Sequence, residues 1–453
     1  MKAKKLWKVV AAALVFVLLG AGLWGWGVQR GNVTEFKAED EDVQEKEEKA
    51  DAGTENIVSV QKVSFPEKKE RESVDKVYLE NLLPFYEKSV RNLLLSQKGK
   101  NCVYSPVNLY LSMAMLTEMT DGKTKQQLLD VLGQKDVKEI RKQSQSIWKS
   151  VYADRALSKC ILGNSVWLKQ DVPFQKEVLK ILADYYYTET YQGVMGTEMD
   201  CKIQEWVNKM TKNLLEEEAR SIQTDAARTV FVLMSTAYFY DQWVEPFESS
   251  RTERDTFTNA DGKEVDCEFM NRTEGRGIYQ TKRFQSTWLE FEGGGNMFLF
   301  LPKQGISLED VLKEDMEEIL HIASSFGAGF EQGGVELSLP KFSISSSLDL
   351  IPAMKSMGIE ELFQQNGANF TKLLGKGSEK KFPVYAGKVQ QAGRAIVDEA
   401  GCYIASYTET DVLMKAAGPE RVFKMDCDHP FLFIISDSNG IPVFAGTVNQ
   451  MGE

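Results

Sequence analysis

The chain has 453 residues, 43% of them hydrophobic, and a formal net charge of −12, which gives material for a large core or for two or three ordinary domains and argues against a nucleic-acid partner, since that would select a basic surface. Six cysteines (102, 160, 201, 267, 402 and 427) are scattered without a CxxC pair or a metal-ligand spacing, so no disulfide framework, metal or cofactor is expected. Only two histidines occur, His321 and His429, neither in a nucleophile motif, and no GxSxG is present, so the pattern is not that of a hydrolase or other enzyme.

Lys2, Lys4, Lys5 and Lys8 precede an uninterrupted apolar run of twenty residues, Val9 to Val28, long enough to cross a bilayer as a helix. The lysines place the amino terminus inside and the rest of the chain outside. A cleaved signal peptide over 1–30 is the competing reading, although the run is long for one and bulky Leu23 and Trp24 follow the small residues Gly20-Ala21-Gly22. Either reading exports the chain, secreted or held at the cell surface through residues 9–28. Residues 31–73 are polar and lack sustained period, with nine acidic and three basic residues between Glu35 and Asp51. Such a stretch cannot bury enough apolar surface to order itself, and a solvated acidic tether is expected.

Helical period begins near Val74, with Val77, Leu79, Leu82, Leu83, Phe85, Tyr86, Val90, Leu93 and Leu94 on one face. Ser105-Pro106 then starts a second helix, the serine placed to cap it and the proline in the first turn, where no amide hydrogen is needed. Leu109 to Leu116 is apolar nearly all round, so this helix should be buried. Gly163 to Leu168 reads as a strand. The run from Val230 through Tyr240, rich in aromatics, suits a strand buried on both faces. Leu289 to Pro302 reads as two strands around a glycine turn, and Val335 to Phe342 alternates cleanly.

Asp398-Glu399-Ala400-Gly401-Cys402 follows the strand-like Ala395-Ile396-Val397 and opens a long segment with no helix period. Within it Cys402, Ile404, Ser406, Thr408, Thr410 and Val412 form a small, β-branched or apolar set, and Tyr403, Ala405, Tyr407, Glu409 and Asp411 a mostly polar one. That is a strand's period on a loop's position. An ordinary edge strand followed by a loop is the plain reading; a segment able to be either is the sharper one.

Beyond this segment, Asp428-His429-Pro430-Phe431-Leu432-Phe433 and Ile441-Pro442-Val443-Phe444-Ala445-Gly446 resemble the carboxy-terminal signature of the serpins, a family of serine protease inhibitors. Asn101 to Asn108, Trp206 to Thr211, Ser235 to Phe247, Thr252 and Phe257, Leu289 to Pro302, Pro340-Lys341-Phe342, Gly358-Ile359 and Ala368-Asn369-Phe370 are similar to further family motifs in the same order. The resemblance implies an α+β serpin fold over 74–453: one large domain with three sheets, about eight or nine helices and an exposed reactive-centre loop at about 399–421. It implies a monomer that acts on a target protease by loop cleavage and insertion, with no catalytic residues of its own.

On that resemblance, counting from Glu399 puts the scissile bond at Lys415-Ala416, which would suit a trypsin-like serine protease. Met414 is the alternative and would suit chymotrypsin- or elastase-like enzymes, and a cysteine protease is also a known target class. Pro430 lies further from Lys415 than the family pattern has it, so the loop carries an insertion after the bond. Glu399, Gly401, Cys402, Ile404, Ser406 and Thr408 would form the hinge, with Gly401 supplying unusual dihedrals. Lys341 and Glu399 would pair at the top of the main sheet beside Trp243. Ser105, Asn108, Ser235 and Gln391 would form the polar gate beneath it. Tyr403, Ile404 and Tyr407 are bulkier than the family's hinge residues, and a disulfide at Cys402 would pin the loop. Cleavage without trapping, by a binding or structural protein of the same fold, is therefore the second functional reading.

Overall fold

A computed structural model describes residues 57–63, 65, 72–274, 277–325, 329–378, 381–402 and 421–452. The apolar run 9–28, most of the acidic stretch, and residues 403–420 with Ile404, Ser406, Thr408, Lys415 and Ala416 lie outside the described residues.

Strands gather into three sheets. Sheet A has the order Val58–Gln61, Thr188–Gly193, Ser158–Lys169, Phe231–Gln242, Gly401–Cys402, Gln390–Val397, Phe342–Asp349, with Ala153–Asp154 paired to Ser158–Lys169 off this path. Sheet B runs Cys102–Tyr104, Pro442–Val448, Phe431–Ser436, Asn296–Pro302, Phe284–Glu290, Tyr279–Gln280. Sheet C runs Val422–Asp426, Gly334–Pro340, Glu264–Glu274, Thr252–Thr258. Among the described residues there are eleven α-helices, of which Glu216–Ala219, Ile351–Ser356 and Thr371–Leu374 are the shortest.

Burial follows the residue pattern. Every residue of Asn296–Pro302, Phe431–Ser436 and Pro442–Val448 is buried, which is why sheet B reads as continuous apolar runs. Helix Pro106–Met119 is buried on nearly all sides. It lies between sheets A and B, with Asn108 bonded to Ser235 of one and Ser105 to Val443 of the other. Ser105 occupies the position before Pro106, but its hydroxyl does not cap the helix; it donates to the Val443 carbonyl at 2.8 Å. Helix Thr197–Met210 covers the other face of sheet A, packing Met199, Ile203, Trp206 and Val207 with Trp167, Val232 and Met234.

Two further features differ from the sequence expectation. Within the stretch expected as a solvated tether, Val58–Gln61 forms a strand that pairs antiparallel with Thr188–Gly193 and becomes the edge of sheet A. Phe65 then stacks on Trp148 and Tyr152, with ring centroids 5.9 Å apart in each pair. The acidic run ends before this point, and Ile57-Val58-Ser59-Val60 has the β-branched composition a strand accepts. Second, strand Phe231–Gln242 is not buried on both faces throughout: its residues Phe231 to Ser235 are only half-buried. Among the described residues its one ladder partner on that side is Gly401–Cys402, at its far end.

Candidate functional site

The chain leaves strand Gln390–Val397, turns through Asp398, Glu399 and Ala400, and re-enters sheet A as Gly401–Cys402. Val397 pairs with Cys402 across this turn, and Gly401 and Cys402 pair with Gln242 and Asp241 on the other side. One row of residues therefore crosses five strands: Ser158, Asp241, Cys402, Val397 and Phe342. Because one short strand sits between the flanking strands, those strands stand two ladder spacings apart here, about 9.5 Å.

The turn is tied on every side. Asp398 Oδ1 accepts the backbone N–H groups of Ala400 at 2.9 Å and Gly401 at 3.2 Å, and the Asp398 N–H donates to the Gly401 carbonyl at 3.1 Å. The carbonyls of Ala400 and Glu399 accept from the backbone N–H groups of Trp243 at 3.0 Å and Phe247 at 2.9 Å. The Trp243 indole N–H donates to the Asp398 carbonyl at 2.9 Å, and its buried ring stacks on Phe291 with centroids 4.7 Å apart. Lys341 Nζ lies 3.1 Å from Glu399 Oε2 and 3.4 Å from Glu268, and Thr252 donates to Glu399 Oε1 at 2.9 Å.

Electrostatics follow from these contacts. Burial raises the Glu399 carboxyl, but hydrogen bonds from its own backbone amide, Thr252 and Lys341 outweigh it and hold the group below its ordinary range. Burial lowers Lys341, while the ion pairs with Glu399 and Glu268 outweigh that and raise it. Asp398 is pushed up, chiefly by burial, against the pull of its two amide donors.

Gly401 is not in the left-handed region; its unusual-dihedral role is replaced by close approach. A Cβ built there would stand 2.3 Å from the Asp241 carbonyl oxygen, so no side chain fits without moving the strand. Cys402 is buried, and among the described residues no disulfide joins any of the six cysteines.

Below Cys402 a narrow cleft separates strands Phe231–Gln242 and Gln390–Val397, which share no ladder among the described residues. Ala237 and Phe239 line one wall and Gly393 and Ala395 the other; Val103 and Phe433 of sheet B lie below, and Leu214 and Leu215 also border it. At its lower end stand the expected gate residues, split between the walls. Gln391 on one strand exchanges two bonds with the Ser105 backbone, Ser105 N–H to Oε1 at 2.7 Å and Nε2 to the carbonyl at 3.1 Å. On the other strand the Ser235 hydroxyl lies 2.7 Å from Asn108 Oδ1 and 2.7 Å from Asn164 Oδ1. The first turn of the buried helix thus touches both walls.

The order of these parts is matched by a known family. A family model described as "Serpin (serine protease inhibitor)" matches residues 85–451. The chain belongs to the serpin family. It is 25% identical over 365 residues to Serpin-Z1C of Triticum aestivum, covering 77% of this chain and 90% of that one. In fold it resembles the thermophilic serpin tengpin in its native state, with TM-score 0.76 and 22% identity, covering 87% of this chain and 100% of that one. It also resembles human thyroxine-binding globulin complexed with thyroxine, with TM-score 0.72 and 21% identity, covering 83% and 100%. The serpin fold is thus present in full, with its three sheets.

Two buried residues of this serpin escaped sequence reasoning. Asn164 joins the polar cluster of Asn108 and Ser235, its Nδ2 donating to the Tyr186 carbonyl at 2.9 Å, which fixes its Oδ1 as the acceptor for Ser235. Because a hydroxyl carries one hydrogen, the Asn108 amide must then turn its NH2 toward Ser235. Asp241, beside Cys402, accepts from Ser158 at 2.7 Å and from the Gly293 N–H at 3.0 Å. An amide and a carboxylate inside apolar strand runs were the available signals.

Proposed function

We propose that this serpin traps serine proteases, trypsin-like ones foremost, by offering Lys415-Ala416 for cleavage and inserting the cut loop into sheet A. The observation that carries this reading is the pairing of Gly401–Cys402 with both walls of the cleft. Extending that register downward would set Ile404 between Phe239 and Ala395, Ser406 between Ala237 and Gly393, and Thr408 between Ser235 and Gln391. The larger inward side chain, Ile404, would meet a small neighbour on one side, and the hydroxyls would meet alanine, glycine and the gate's polar groups. The small residues Ala395, Ala237 and Gly393 at these positions support the insertion reading over one in which a bulky hinge overpacks the slot. A buried Ile404 would contribute roughly 1.5–3 kcal/mol to the inserted state.

Acting outside the cell suits the reading of residues 1–30 as an export signal or membrane anchor. The second reading, a serpin-fold protein whose loop is cut without trapping, is favoured by the bulk of Tyr403, Ile404 and Tyr407 in the sequence. Thermal unfolding before and after loop cleavage separates an inserting loop from an inert one. Insertion is expected to raise the midpoint sharply; an unchanged midpoint contradicts the mechanism.

A further inference from the structure

The Asp398 side chain stands apart from the ion pair formed by its neighbour Glu399. One carboxylate oxygen accepts two successive backbone N–H groups, Ala400 at 2.9 Å and Gly401 at 3.2 Å. An aspartate bonded to the amides two and three residues on is a local turn device, closed by the side chain instead of the backbone. Here the backbone adds a further closure, Asp398 N–H to the Gly401 carbonyl at 3.1 Å, and the Trp243 indole holds the Asp398 carbonyl at 2.9 Å. The residue immediately after this turn is Cys402, which is bound to both walls. The direction in which the chain leaves Gly401 decides whether the next residues enter the cleft or stand off from it.

We propose that Asp398 is a positioning residue for loop insertion: by fixing the Ala400 and Gly401 amides it aims the chain down the cleft between Phe231–Gln242 and Gln390–Val397. This rests on the insertion reading given above and names the residue that starts the new strand. The group required is an acceptor oxygen at this position and not its charge. Lys341 is engaged by Glu399 and Glu268 on the other side of the turn, and Asp398 makes no salt bridge among the described residues. Asparagine has the same acceptor and can replace it, whereas alanine removes it.

The test uses the full chain as wild type, Asp398→Asn and Asp398→Ala. Each is mixed with enough trypsin that loop cleavage is not rate-limiting. Insertion is followed by stopped-flow tryptophan fluorescence, Trp243 being bonded to the turn, and the thermal midpoint is measured before and after cleavage. Wild type and Asp398→Asn are expected to insert at similar rates. Asp398→Ala is expected to insert about 5- to 10-fold more slowly, with the cleavage rate near wild type, the native midpoint lowered by no more than a few degrees and the final midpoint reached in full. A purely structural role would lower the native midpoint and leave the insertion rate unchanged, which overturns the proposal. Equal rates for alanine and wild type, or asparagine as slow as alanine, also overturn it. A wild-type midpoint that fails to rise on cleavage overturns the insertion reading and this one with it. A wild-type rise with unimpaired Asp398→Ala removes only the role of Asp398. Should Asp398→Ala not fold, Asp398→Ser, whose hydroxyl accepts more weakly, is expected to show an intermediate slowing, and a wild-type rate there would overturn the proposal equally.

Discussion

The indole N–H of Trp243 donates to the carbonyl of Asp398 at 2.9 Å, so the last ring of one wall of the cleft holds the turn that ends the other. Replacing Trp243 by phenylalanine keeps an aromatic face for Phe291 and removes the donor. Losing the hydrogen bond to this half-buried carbonyl costs about 0.5–1.5 kcal/mol. Trp243→Phe is therefore expected to lower the native thermal midpoint by a few degrees and to speed spontaneous loss of the native form on warming. Native gel electrophoresis during incubation checks the second effect.

Acid should loosen the turn through Glu399. Its folded value is depressed below the ordinary 4.5, so its contribution is present above that value and is lost as pH falls through the folded one. Asp398, raised by burial, works in the opposite sense: protonating it in acid relieves the cost of keeping its charge buried. Comparing wild type with Glu399→Gln leaves the burial of Asp398 common to both chains, so the gap reports Glu399 together with the rise that its charge gives Asp398. The midpoint gap between them is expected to be widest near neutral pH and to close in acid. A gap that stays constant down to about pH 3 would contradict the Lys341–Glu399 role.

Gly401 is a steric test. A methyl group there would meet the Asp241 carbonyl at 2.3 Å. Gly401→Ala is expected to push Cys402 away from Phe231–Gln242, leaving loop cleavage at the wild-type rate while the post-cleavage rise in thermal midpoint shrinks. Full retention of that rise would show that the strand yields freely at this row.

The amino-terminal segment has its own prediction. A chain beginning at Glu72 lacks the edge strand Val58–Gln61 and the ring of Phe65 on Trp148. Half-burial of one phenylalanine and a short ladder amount to about 2–3 kcal/mol. The truncated chain should melt a few degrees lower than one beginning at Ile57, and hydrogen exchange should quicken along Thr188–Gly193. Equal midpoints would show that the strand adds nothing to stability.

The parts most legible in the sequence are those where a single local pattern decides the outcome. Pro106 in a helix's first turn, the apolar shell of Leu109 to Leu116 and the glycine turn before Asn296 are of this kind. So is the alternation of Val335 to Phe342. What was not legible depends on partners distant in sequence. Val58–Gln61 needs Thr188–Gly193 beside it to become a strand, and the acidic residues before it mask its composition. The Ser105 hydroxyl looks like a helix cap until Val443, 338 positions away, offers a carbonyl. Asn164 reads as an ordinary strand residue until Ser235 and Tyr186 close around it. Gly401 invites a dihedral explanation, whereas the cause is the Asp241 backbone across the ladder.

The most direct measurement is to mix the protein with excess trypsin and analyse the products by denaturing gel electrophoresis and mass spectrometry. Trapping at the assigned bond gives a detergent-stable band at the summed mass, with a released fragment beginning at Ala416. Clean cleavage with no such band would contradict trapping of trypsin-like proteases.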